Sequence, residues 1–286
     1  MVIQKALGAD HDVTLAETSR RGHATRLAQG AANVGVEVVA VLGGDGTLNE
    51  AANGLAGTDT ALAVLPGGST NVFARTMGLP NDPIEATGDL LAGLARGAIE
   101  PVGLGSANGR YFLFHVGIGF DAEVVRQVER RSALKRYAGH PLFVYAGLTT
   151  WFRHYDRTRP HFSVHHEDGT VVDDGSFALV LNTNPYTYLG NRPLQVAPDA
   201  GLDRALVSFT LRRLALPTMA VVLPSVLGSG RLARAHRDVD YRTDLCGLRI
   251  SSHGRPFPYQ VDGDFLGAID ELVLRHEPAA LRLVRP

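Results

Sequence analysis

The stretch Gly43-Gly44-Asp45-Gly46-Thr47-Leu48-Asn49-Glu50 combines residue types suited to holding an anion. Glycines let a backbone come close to a phosphate, and the free N–H groups that open a helix point at it. Asp45 is the exception, because a carboxylate beside a polyphosphate repels it. It makes sense with a divalent cation between the two, or as an acceptor of a proton or a hydrogen bond. The competing account is an ordinary corner in which Asp45 caps a helix. A second loop, Pro66-Gly67-Gly68-Ser69-Thr70-Asn71, repeats the glycine chemistry and weakens that account. A third candidate is Asp262-Gly263-Asp264. Asp-Gly is a turn formula, but the turn does not require the carboxylate of Asp264.

These loops need elements to hold them. Val36 to Leu42 is an almost unbroken apolar run that reads as a buried parallel strand, and Asn49 to Leu55 opens as a helix. Thr60 to Leu65 reads as a second such strand, followed by a helical Val72 to Met77. Glycine loops at the ends of successive parallel strands line the crevice where open α/β sheets take ligands. Neither loop is a Walker pattern, since no Lys-Ser/Thr follows the glycines, and neither is GxGxxG. Asp82-Pro83 opens another helix, its Leu90, Leu91 and Leu94 reading as core, with Gly97 at its end. Upstream, His11 to Leu15 reads as a short strand. Thr18 reads as the N-cap of a helix running through Ala31, with Arg20, Arg21 and Arg26 on its solvated face.

From about Ile99 the pattern becomes alternating and short: Arg110 to Phe114, His161 to His165, Phe177 to Asn182 and Ala205 to Phe209. Asn108-Gly109, Asp168-Gly169 and Asp174-Gly175 are expected hairpin turns between strands of this kind. The sequence therefore predicts an α/β domain over 1–100, a β-sandwich over 101–270 with a helical insertion near Ala122 to Phe152, and a closing segment, 271–286, that packs back on the first domain. The boundary is expected near Glu100-Pro101.

The motifs GGDGTLNE, PGGSTNVFAR, Gly119-Phe120-Asp121-Ala122 and Val261-Asp262-Gly263-Asp264, in this order, resemble those of the diacylglycerol kinase catalytic family. That family includes bacterial lipid kinases and is related to sphingosine kinases. The resemblance runs from about Thr18 to about Gly267. It implies a three-layer α/β nucleotide-binding domain of NAD kinase/phosphofructokinase type, a β-sandwich acceptor domain with the active site between them, and ATP and Mg²⁺ as cofactors. It implies nucleotide contacts at Thr18, at Gly43, Gly44, Asp45, Gly46, Thr47, Leu48, Asn49 and Glu50, and at Gly68, Ser69, Thr70 and Asn71. It further implies that Asp264 is the base that activates a lipid hydroxyl and that Asp45 organises the metal; the two roles are exchangeable, because related kinases are argued to use the GDG aspartate as base. Asp203, in Pro198-Asp199-Ala200-Gly201-Leu202-Asp203, and Asp262 are further metal candidates.

Three departures stand beside the resemblance. The family's final carboxylate is usually Glu, where this chain has the shorter Asp264. Many relatives carry an acid where Val72 stands, and Arg204 replaces a Gly after Asp203. The family's earlier strand, which ends in an Asn-Pro-x-Ser-Gly loop, has no counterpart; Met1 falls inside what reads as the first helix, so that strand and one phosphate contact are expected to be missing.

Composition bounds the rest. At 286 residues, 45% hydrophobic and 20% charged, the chain can build real cores, and a net charge of −1 gives no support to nucleic-acid binding. The single Cys246 fits a reducing compartment, and Met1 to Leu7 is too short for a secretory leader. The apolar run Leu214 to Gly228, broken by Pro217 and Pro224, is too short to span a bilayer. His161, His165 and His166 match no zinc spacing, and Ser69 lacks the GxSxG context. Arg126, Arg130, Arg131, Lys135 and Arg136, followed by Tyr137, Phe143, Tyr145, Trp151 and Phe152, read first as a solvated helix and a core helix, and second as a membrane-facing surface.

The expected protein is a cytoplasmic, peripherally membrane-associated lipid kinase acting on diacylglycerol, with ATP as donor and no nucleic-acid partner. Homodimer formation is left open by the sequence. The competing readings are an NAD kinase, which shares GGDGT but not PGGSTN or VDGD, and a non-catalytic nucleotide- or lipid-binding protein.

Overall fold

The structure, a computed structural model, describes residues 2–130 and 144–286. They divide into two compact units, Met1–Leu104 with Pro278–Pro286, and Gly105–Glu277. The expected boundary at Glu100-Pro101 lies inside a continuous strand, Ile99–Ala107.

The first unit runs through helices α1 (Val2–Leu7) and α2 (His23–Asn33), strand β1 (Val38–Gly43), α3 (Asp45–Leu55), β2 (Ala61–Pro66), α4 (Val72–Thr76) and α5 (Pro83–Ala95). β1 and β2 pair in parallel from Val38 opposite Ala61 to Gly43 opposite Pro66. On the other side of β2, Arg282 and Leu283 pair in parallel with Ala61 and Leu62. A parallel strand flanked on both edges and covered on both faces must be apolar throughout, and all six residues of β2 are buried. β1 pairs through one edge only among the described residues, and its Leu42 is 54% exposed.

The helices pack as pairs, α2 on α3 and α1 on α5, with α3 and α5 both against the strands. Gly54 lets α2 come close, since a Cβ there would lie 2.4 Å from the Thr25 carbonyl oxygen. Asp82 caps α5 by accepting the Ile84 and Glu85 N–H groups at 2.8 and 3.1 Å.

Two local expectations are corrected. His11 to Leu15 forms no strand: it pairs with no neighbouring strand among the described residues, and Leu15 is 64% exposed. α2 begins at His23, because Gly22 turns the chain at φ 77° just before it.

The second unit contains the end of β3 (Ile99–Ala107), then β4 (Arg110–Phe112), β5 (His115–Gly119) and α6 (Phe120–Glu129). It continues with β6 (Phe162–His166), β7 (Val171–Gly175), β8 (Phe177–Leu181), a short hairpin of β9 (Tyr188–Leu189) and β10 (Arg192–Pro193), and β11 (Leu206–Leu211). After helices α7 (Leu216–Val226) and α8 (Arg231–Arg234) come β12 (Val239–Leu245), β13 (Gly247–Ser252), β14 (Phe257–Val261), β15 (Asp264–Ile269) and β16 (Glu271–Val284). One antiparallel sheet has the order β12-β11-β8-β5-β14-β15, and β16, β13, β6 and β7 are neighbours in another.

The sheets share a core that includes Phe112, Val116, Ile118, Phe162, Val180, Ile250 and Leu274. Alternation along β8 sends Ala178 and Val180 into this core and Leu179 and Leu181 to the opposite face, where α7 packs. Asn108 and Gly109, at φ 47° and 84°, make the expected β3–β4 hairpin. Asp174-Gly175 makes none: the chain there leaves β7 in one sheet and enters β8 in the other. Gly175 is needed because a Cβ would meet the Phe162 ring at 2.4 Å.

Candidate active site

In the first unit the two glycine loops touch backbone to backbone. Gly67 N–H donates to the Gly43 carbonyl at 2.9 Å. A Cβ on Gly67 would lie 2.8 Å from the Gly43 nitrogen, and one on Gly68 would lie 2.7 Å from the Gly44 Cα. These glycines are there first for the contact between loops. Gly46 differs, with nothing within 4 Å of an added Cβ. Gly46, Gly67, Gly68 and Ser69 are exposed, so backbone at the start of α3 and in the second loop faces open space.

Two side chains lock the pair. Asp45 accepts the Val72 and Phe73 N–H groups, each at 3.0 Å. It thus caps α4, the helix of the other loop, rather than its own. Asn71, buried and left-handed at φ 51°, accepts from Gly68 N–H at 2.7 Å and donates to the Gly68 carbonyl at 3.0 Å and to Asn81 Oδ1 at 2.8 Å. The other members of GGDGTLNE divide by direction. Leu48 and Asn49 are buried. Glu50 accepts Gly22 N–H at 2.7 Å and Ala24 N–H at 3.1 Å, so its carboxylate caps α2. Thr18 lies exposed on the irregular segment before α2.

In the second unit, Asp262 and Gly263 form the β14–β15 turn at φ 47° and 81°. The buried Asp262 carboxylate accepts three backbone N–H groups, from Leu113 at 2.7 Å and from Phe114 and His115 at 3.0 Å. These bonds fasten the β4–β5 segment to the turn. Asp264 begins β15, partly exposed, with Arg110 Nη2 at 3.3 Å from its Oδ2.

Gln260 holds the turn from behind: its Oε1 accepts Gly263 N–H at 2.7 Å, and its Nε2 donates to Asp121 Oδ2 at 2.8 Å. Tyr186 O–H donates to Asp121 Oδ1 at 2.5 Å, and the His115 ring lies 4.6 Å from the Tyr186 ring. Gly117 makes the room, since a Cβ there would fall 1.7 Å from Asp121 Oδ2. Burial raises the Asp121 carboxyl pKa against the lowering bonds from Tyr186 and Gln260. Burial lowers that of His115 to about 3.

Sequence reasoning singled out Asp121 but missed Gln260, Tyr186 and His115. A lone Gln between Tyr259 and Val261 carries no pattern, and only the turn formula beside it marks the place. Asp203 is exposed on a turn whose Arg204 pairs with Asp244 at 2.8 Å. Among the described residues no three His, Cys, Asp or Glu side chains gather as a metal set. Of the basic and aromatic stretch, Arg131, Lys135, Arg136, Tyr137 and Phe143 lie outside the described residues. Trp151 is buried with the Arg157 guanidinium 4.5 Å from its ring centre, and Tyr145 and Phe152 are exposed.

Residues 2–107 match the model of the diacylglycerol kinase catalytic domain. Over 150 residues the chain is 36% identical to the diacylglycerol kinase of Bacillus subtilis (strain 168), which takes in 51% of this chain and 48% of that one. Over 227 residues it is 35% identical to the "Probable lipid kinase YegS-like" of Pseudomonas aeruginosa (strain UCBPP-PA14), covering 78% of this chain and 69% of the relative. A crystal structure of a diacylglycerol kinase from Bacillus anthracis str. Sterne aligns over 98% of this chain and 88% of its own, with a TM-score of 0.75 and 23% identity, which shows a shared fold. The chain belongs to the diacylglycerol kinase catalytic-domain family. It spans about half the length of the Bacillus subtilis relative.

Proposed function

We propose that the protein is an ATP-dependent lipid kinase that transfers the γ-phosphate to a lipid hydroxyl, with diacylglycerol as the acceptor and phosphatidic acid as the product. The observation that carries this reading is the pair of interlocked glycine loops, with Gly46 and Ser69 exposed at the start of α3 and in the second loop, where a polyphosphate can approach backbone N–H groups.

Chemistry of this kind is mostly positioning and charge neutralisation. The first unit would hold the nucleotide phosphates on backbone N–H groups. In the second, Asp264 would accept the proton of the attacking hydroxyl as its oxygen bonds to phosphorus and the bond to the ADP oxygen breaks. Gln260 and Asp262 would keep the Asp264 turn in place. A divalent cation would supply charge neutralisation at the phosphates. Asp45 is its candidate ligand, as the carboxylate that opens α3 beside the exposed Gly46. The Val72 side chain offers no ligand atom. A lipid acceptor also implies work at a membrane surface. No helix among the described residues is long and apolar enough to cross one.

The test is phosphate transfer from γ-labelled ATP to diacylglycerol, sphingosine, phosphatidylglycerol and NAD. Label in a lipid, lost in Asp45→Asn and Asp264→Asn, is the expected result. Label in NADP would overturn the family's chemistry for this chain, and nucleotide binding without transfer would make it a binding protein.

A further inference from the structure

A surface helix ordinarily turns its polar residues outward and its apolar stripe inward. α7 inverts this. Its two hydroxyl residues point away from solvent: Thr218 is buried and donates to Asp238 Oδ2 at 2.6 Å, and Ser225 Oγ accepts Ala233 N–H at 2.9 Å. Val222 and Val226 are buried under the sheet face. The outward stripe is apolar too: Leu216, Leu223 and Leu227 are 66%, 53% and 42% exposed, and Leu232 in α8 is 68% exposed.

Charge adds a second, independent observation. From Leu211 to Arg237 the chain carries no Asp or Glu, while Arg213, Arg231 and Arg237 are exposed. An apolar stripe bordered by arginines is the composition of a helix that lies in the headgroup region of an anionic bilayer.

We propose that the outer face of α7 with α8 is a docking surface for an anionic lipid bilayer. The leucines would enter the acyl boundary and the arginines would meet lipid phosphates. A second copy of this chain is a poorer occupant. A two-fold contact through this face would set its arginines against one another with no acid in the stretch to pair them.

The proposal takes up the lipid-kinase reading above, but vesicle binding is measured without turnover. Flotation with phosphatidylcholine vesicles, with and without phosphatidylglycerol, would be compared for the wild-type chain and two double variants, Leu223→Asp/Leu227→Asp and Arg231→Glu/Arg237→Glu. Circular dichroism would check that each variant is folded. Wild-type binding should require phosphatidylglycerol and weaken with salt. The leucine pair should lose about tenfold or more in partitioning, and the arginine pair a comparable factor. Wild-type failure to bind, or undiminished binding by both variants, overturns the proposal. So does a wild-type dimer by light scattering that the leucine pair dissolves, which would assign the face to a second copy. Phosphorylation of a dispersed short-chain diacylglycerol without vesicle binding would overturn this surface alone. Vesicle binding without phosphate transfer would overturn the kinase reading alone.

Discussion

The Asp45 carboxylate accepts the Val72 N–H at 3.0 Å, so the acid of the first glycine loop holds the helix that follows the second. α4 is only five residues long, and a helix of that length does not persist by its own hydrogen bonds. With Phe73 N–H on the other carboxylate oxygen, Asp45 turns two loops into one structure. Val72 contributes its backbone N–H to this contact, and its side chain is buried.

Asp45→Asn should therefore weaken the fold as well as the chemistry. One of the two N–H groups would face an amide NH₂ instead of an oxygen, and the loss of a cap of this kind costs about 1–2 kcal/mol. Thermal unfolding of the variant checks this. An unchanged midpoint would mean that the cap contributes nothing and that Asp45 is there for ligand alone.

The glycines separate structure from function. Gly68→Ala sets a Cβ 2.7 Å from the Gly44 Cα and should destabilise by about 1–3 kcal/mol through overpacking. Gly46→Ala meets nothing within 4 Å and lies in a helix, where alanine is preferred, so the fold should be kept or gain slightly. Its methyl group would fill the open side of the loop, and the thermal shift on adding ATP should shrink. An undiminished shift would place the phosphates elsewhere.

Much of this was legible in the sequence. The apolar run before Gly43 and the glycines after it determined strand, loop and helix start, because few other conformations bury such a run. The family motifs singled out Asp121 and Asp264. The partners of these motifs were not legible. Glu50 sits in the first motif yet caps α2, and Asp262 holds amides 147 to 149 positions earlier in the chain. Side-chain bonds across such separations leave no periodicity to read. Asp174-Gly175 misled for a related reason: its glycine answers to the Phe162 ring, not to a turn.

Asp262→Asn should be among the more damaging substitutions in the second unit. Three N–H groups converge on the carboxylate, and an amide presents only one oxygen to them. Leaving buried donors unpaired costs about 1–3 kcal/mol each, so a loss on the order of 3 kcal/mol is expected in urea unfolding. A midpoint within error of wild type would show that these bonds are easily replaced.

His115 makes stability depend on pH. Burial lowers its pKa from 6.5 to about 3, so below pH 6.5 the unfolded chain takes up a proton that the folded one refuses. Its contribution is full above 6.5 and is lost as pH falls toward about 3. Asp121 works in the opposite sense: burial raises its carboxyl, so its contribution is present below the ordinary carboxylate range and is lost as pH rises through the raised value. His115→Phe keeps a ring beside Phe114 and Tyr186 and removes the proton uptake. Its urea midpoint should fall less than that of wild type on acidification from neutral pH. Parallel curves would show that His115 does not govern the acid limb.

The central claim is that Asp264 activates a lipid hydroxyl. Its contact with Arg110 is partly exposed, so losing it should cost under about 1 kcal/mol of stability. The most direct measurement is transfer from γ-labelled ATP to diacylglycerol by the wild type, Asp264→Asn and Asp264→Glu, each with its thermal midpoint. The account predicts labelled lipid from the wild type, a loss of about a hundredfold or more in folded Asp264→Asn, and substantial activity in Asp264→Glu, which keeps a carboxylate at this position. Undiminished transfer by Asp264→Asn would contradict it.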